Sequence, residues 1–146
     1  MSQSPALVAP AVAASGRAAR LRDPLATLAV AVAGTTYVGL VDPNEAGHYP
    51  SCPFLSLTGL YCPGCGSLRA VHALAQGDVL TALDRNVLTV AGAVLLAAIW
   101  VGRLTRAWRG VPRARAAAPW MIWTLLALVL AFTVARNLPA GALLAP

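Results

Sequence analysis

Residues 86–102, NVLTVAGAVLLAAIWVG, form a run of 17 residues without a charged side chain. As a helix such a run is about 26 Å long, enough with flanking anchors to cross the hydrocarbon core of a bilayer. Two further runs share the property, residues 25–41 (LATLAVAVAGTTYVGLV) and 116–135 (AAAPWMIWTLLALVLAFTVA). The only proline among the three is Pro119, at a helix start where a missing N–H is harmless. The pattern predicts an all-α integral membrane protein with three transmembrane helices, at about residues 25–41, 86–103 and 119–137. Two other uncharged stretches fail the test. Residues 1–16 are broken by Pro5 and Pro10, and residues 49–68 by Pro50, Pro53, Pro63, Gly59, Gly64 and Gly66.

Composition agrees. The 146 residues are 58% hydrophobic and only 11% charged, against about 25% charged in soluble domains. Mean hydropathy is +0.69. The length gives room for one domain, so a flexible tail over residues 1–22 and a single membrane domain over 23–146 are expected, with a cysteine-bearing segment at 42–85. A cleaved signal peptide is not expected. The first apolar run follows three arginines late in the tail, and no small-residue cleavage site precedes Asp42.

The net charge of +6 does not point to nucleic acid, because its arginines flank apolar runs. Arg17, Arg20 and Arg22 precede the first run, and Arg103, Arg106, Arg109, Arg113 and Arg115 lie between the second and third. The intervening segment has Arg69 and Arg85 against Asp42, Glu45, Asp78 and Asp84. The positive-inside rule therefore predicts a cytoplasmic N-terminus and an extracytoplasmic cysteine segment and C-terminus. Trp100, Trp108, Trp120 and Trp123 fall at the cytoplasmic ends of the second and third spans, as an aromatic belt would, and Tyr37, Tyr49 and Tyr61 lie toward the other face. Arg136 is expected to snorkel to the outer interface.

The segment between the first two spans holds all three cysteines. After Cys65 a helix is expected, started near Gly66 or Ser67 and stopped at Gly77, with Asp78 capping a second short helix through Leu83. In the first of these, Cys65, Arg69, His72 and Gln76 recur as a polar stripe beside an apolar one of Leu68, Val71 and Ala75. An interfacial amphipathic helix explains that pattern without chemistry. A helix N-terminus and an Arg one turn on would also favour thiolate at Cys65, marking it as the reactive thiol.

The stretch CPFLSLTGLYCPGCGSLRAVHALAQGDVLTALDRN, residues 52–86, resembles the signature of a family of small bacterial membrane proteins numbered 2752 among the domains of unknown function. The shared elements are Cys52-Pro53-Phe54, Thr58-Gly59-Leu60, Cys62-Pro63-Gly64-Cys65-Gly66-Ser67, Arg69, Gly77-Asp78 and Asn86. The chain departs at Tyr61, Leu68 and Val87, where the family often has Pro, Thr and Pro. Without Pro at 87 the second span need not begin with a fixed kink. The resemblance implies a multi-pass protein of the bacterial inner membrane and supplies no reaction.

Three readings of the cysteines stay open. The first is a structural disulfide, Cys62–Cys65 or Cys52 with either, pinning the Pro/Gly-rich segment and leaving one thiol over. The second is a zinc site of Cys52, Cys62, Cys65 and His72, with His48 as a substitute. Its difficulty is that His72 lies two helical turns, about 10 Å, from Cys65. The third is thiol–disulfide exchange through Cys62 and Cys65, which resembles quinone-linked disulfide-forming membrane proteins but lacks their four spans and second cysteine pair.

No paired carboxylate in an apolar setting, phosphate loop or Ser/His/Asp set is present. A non-enzymatic membrane component is therefore expected, its extracytoplasmic cysteine segment held by a disulfide and docking a membrane-protein partner, a second copy or lipid. No cofactor is expected beyond the zinc candidate.

Overall fold

The structure is a computed structural model and describes residues 16–112 and 118–145. Among these residues the chain is all-helical: α1 (Arg17–Leu40), α2 (Pro53–Thr58), α3 (Ser67–Ala75), α4 (Val79–Arg109), α5 (Pro119–Ala135) and a closing 3-10 helix (Pro139–Leu144). Residues 1–15 of the expected tail, and Arg113 and Arg115 of the arginine-rich loop, lie outside the described residues.

Two helices, α1 and α4, are long and apolar enough to cross a membrane. The third apolar helix, α5, has 17 residues. Residues 17–22, expected in a flexible tail, instead form the first turns of α1. Pro24 then lies inside that helix, where it is buried. Its carbonyl accepts the Trp100 indole N–H at 2.9 Å. At the same end, the Arg17 guanidinium stacks 3.8 Å from the centre of the Trp108 ring.

The buried core is small and made of alanine. Ala70 and Ala73 of α3 meet Ala82 of α4, with Leu74 and Val90 packed beside them. The apolar face of α3 is therefore not the expected Leu68, Val71 and Ala75 stripe. Methyl-sized side chains let α3 lie close on α4, while the Leu68 side chain stays exposed. The expected polar stripe is divided as well. His72 and Gln76 bond to the carbonyls of Val38 and Gly39 at the end of α1, whereas Arg69 is exposed. Gly39 permits that approach, since a Cβ there would stand 3.1 Å from the Ala75 methyl.

Helix α4 is two helices joined across Asn86, whose φ of −165° and ψ of 98° leave the helical region. Asp78 caps the first part, its carboxylate accepting the Thr81 N–H at 3.0 Å. Asn86 caps the second, its Oδ1 accepting the Thr89 N–H at 3.0 Å. The break thus exists with Val at 87; the Asn side chain supplies the local alternative to a helical hydrogen bond.

Candidate functional site: a three-thiol cap

Cys52 stands at the N-cap of α2. The chain then returns through Gly59 and closes a tight turn, in which the Cys65 N–H donates to the Cys62 carbonyl at 3.1 Å. Gly66 leads into α3 with φ of +82°, a left-handed conformation that favours glycine. These turns bring the three sulfurs together. Cys62 Sγ lies 3.3 Å from Cys65 Sγ and 3.6 Å from Cys52 Sγ. All three lie within 4.8 Å of one another.

None of the three is bonded to another; a disulfide would require about 2.05 Å between sulfurs. Side chains from other elements also pin the loop. The Asn86 amide donates to the carbonyls of Pro63 and Cys65, both at 2.9 Å. Arg136 donates from Nη1 to the Cys62 carbonyl at 2.9 Å and from Nη2 to the Cys65 carbonyl at 3.2 Å. Asn137 pairs with the backbone of Tyr61 in both directions, accepting its N–H at 2.8 Å and donating to its carbonyl at 2.9 Å. The Ser67 hydroxyl shares a 2.7 Å hydrogen bond with Thr89. Buried carbonyls in an irregular loop need such donors.

Arg136 corrects the expectation of a snorkelling surface arginine. It is 2% exposed, its guanidinium 4.9 Å from the Phe132 ring centre. Its Nε is buried with no hydrogen-bond partner. Among the described residues no carboxylate pairs with it. Arg136 and Asn137 lie more than 70 residues from the loop they hold, and no local sequence pattern links them. The one available signal was a charged residue just past an otherwise apolar helix.

The expected reactive thiol is also corrected. Cys65 is 7% exposed, and burial, with its S–H donating toward the Cys62 and Cys52 sulfurs, pushes it up to about 11. Burial is the largest cause of that shift, and Arg69, the charge expected beside it, is exposed. Cys52 moves the opposite way. The Leu55 N–H, opposed in part by burial, lowers it below the usual thiol value.

His72 does not join the cysteines. Its Nδ1–H donates to the Val38 carbonyl at 2.8 Å, and its Nε2 lies 3.8 Å from Asp42 Oδ1. His48 is likewise engaged, with Nδ1 3.0 Å from the Asp42 carbonyl and Nε2 3.3 Å from Glu45. Both imidazoles are engaged by the end of α1 and the loop that follows it, so the thiol cluster is Cys52, Cys62 and Cys65.

With the cap's sulfur geometry and the hydrogen bonds around it in view, comparison with known proteins places the segment. Residues 52–100 match the DUF2752 family. Its description, protein of unknown function, assigns no activity. The match takes in α2, α3, the three cysteines and Asn86, and ends before Arg136 and Asn137. No curated protein and no solved structure matches the chain.

Proposed function

We propose that this protein is a non-enzymatic component of the bacterial inner membrane that presents three reduced cysteines, on the extracytoplasmic face, as one ligand-receiving thiol centre. The observation that supports it is the convergence of Cys52, Cys62 and Cys65 within 4.8 Å. Donors from α4 and from the end of α5 hold the loop in that form without a disulfide. A cap built this way has its thiols free for a ligand.

In this reading α1, the second part of α4, and α5 all cross the bilayer. The 17 residues of α5 span about 26 Å as a helix, the lower end of what a bilayer requires. Every side chain of α5 before Val129 is exposed, which suits lipid contact. The arginines at the start of α1 and the end of α4 mark the cytoplasmic side.

A second reading, thiol–disulfide exchange, is favoured by Cys62 lying within 3.6 Å of both other sulfurs. In that chemistry a substrate disulfide is reduced as Cys62 and Cys65 are oxidised to a disulfide, the two thiol protons passing to the leaving thiolates. Thiol trapping separates the two. The full-length protein, isolated with alkylating reagent present from lysis and then denatured, should carry three adducts by mass if the cap is a reduced centre. A single adduct, rising to three after mild reductant, would replace that reading with the disulfide one.

A further inference from the structure

Three thiols facing each other are a weak structural device but a complete half-shell for a thiophilic metal ion. Sulfurs bound at about 2.3 Å to a tetrahedral ion stand about 3.8 Å apart. The two closest pairs here are 3.3 and 3.6 Å apart, so small shifts would fit all three to one ion. Reduced thiols on an oxidising face also need protection, which metal ligation supplies.

The independent observation is Arg136. A guanidinium at 2% exposure, with a buried and unpartnered Nε and no carboxylate paired with it among the described residues, is a buried positive charge with no counter-charge among those residues. Such burial is unfavourable unless an anion is near. The groups whose carbonyls it grips are Cys62 and Cys65, two of the three sulfur donors. Metal binding converts thiols to thiolates, releasing their protons to solvent. Three thiolates around a divalent ion carry one net negative charge, and one guanidinium cancels it.

Resting on the thiol-centre reading, we propose that Cys52, Cys62 and Cys65 bind one divalent thiophilic ion of the zinc class, with Arg136 as its counter-charge. The protein supplies three ligands. With His48 and His72 held at the end of α1, a fourth comes from water or an exogenous donor.

The test uses the full-length protein in detergent, purified under reducing conditions and titrated with Zn²⁺ and, as a spectroscopic probe, Co²⁺. One ion per chain and a thiolate-to-cobalt charge-transfer band are expected, both lost in Cys62→Ser. Arg136→Met should weaken zinc binding by about 10- to 100-fold, while Arg136→Lys, which keeps the charge but loses the two-pronged grip, should retain most of the affinity. Asn137→Ala, which loosens the same loop without changing charge, controls for structural damage. Three alkylated thiols but no metal or band would overturn the metal site while leaving the thiol centre standing. Equal losses in the Met and Lys variants would overturn the counter-charge role and reduce Arg136 to a clamp.

Discussion

The cap and the long helices solve opposite problems. Around the cysteines, nearly every buried group among the described residues is gathered: Cys65, Ala70, Ala73, Ala82, Asn86 and Arg136. There the backbone is irregular, so its carbonyls draw side-chain donors from distant parts of the chain. Along the second half of α4 and most of α5 the reverse holds. Leu96 is 67% exposed and Trp123 is 69% exposed, while the backbone satisfies itself within the helix. A water-soluble protein would bury such side chains first. The difference teaches that the chain spends its polar side chains on order in the cap and leaves α4 and α5 with a broad exposed apolar surface.

The comparison can be broken most directly on the helices. Leu96→Arg, near the middle of the second part of α4, should cost about 3 kcal/mol of membrane insertion. An exposed site on a soluble protein would shift by only about 0.5 kcal/mol or less. Expression in the membrane fraction and a glycosylation-mapping insertion assay read the difference, and an unchanged insertion efficiency would deny α4 a lipid-facing role.

In the cap the largest effect should come from Asn86→Ala. It strands the carbonyls of Pro63 and Cys65 and removes the cap on Thr89. The expected loss is about 2–3 kcal/mol of local stability. Faster alkylation of Cys65 and earlier proteolysis between α2 and α3 would show it. Gly66→Ala comes next. The left-handed backbone at φ of +82° should make this variant about 1–2 kcal/mol less stable, visible as a lower thermal midpoint without loss of helix content.

The smallest expected effect is one of reactivity and pH. In metal-free protein Cys52, lowered by the Leu55 N–H, should alkylate first and the buried Cys65 last. Folding holds Cys65 at about 11, above its ordinary value of 9.0. Its contribution to stability is therefore intact below about pH 9 and declines from there to about pH 11, as the unfolded chain gives up the proton more readily. Denaturation midpoints across that window test the sign; a rise with pH would contradict the burial of Cys65.

Much of this architecture is legible in the chain itself, because uncharged apolar runs and Gly/Pro punctuation report directly on helices and breaks. The long helices, the short helix after Cys65 and the tight turn between Cys62 and Cys65 all follow from local pattern. The face of α3 does not. Hydropathy gives weight to Leu68 and Val71, whereas close helix contact selects the smaller Ala70 and Ala73. Asn86 is visible as a motif residue, but its three tasks of breaking, capping and clamping depend on where the loop ends up. Arg136 and Asn137 are the hardest case, since partnership across 71 to 76 positions leaves no trace in spacing.

That last pair has a consequence for biogenesis. The latch that closes the sulfur pocket sits at the far end of α5, so a nascent chain whose first two long helices have already formed still has its cysteine turn ajar. Assembly of the pocket thereby reports on helices far apart in the chain: it shuts only when α5 has arrived in register.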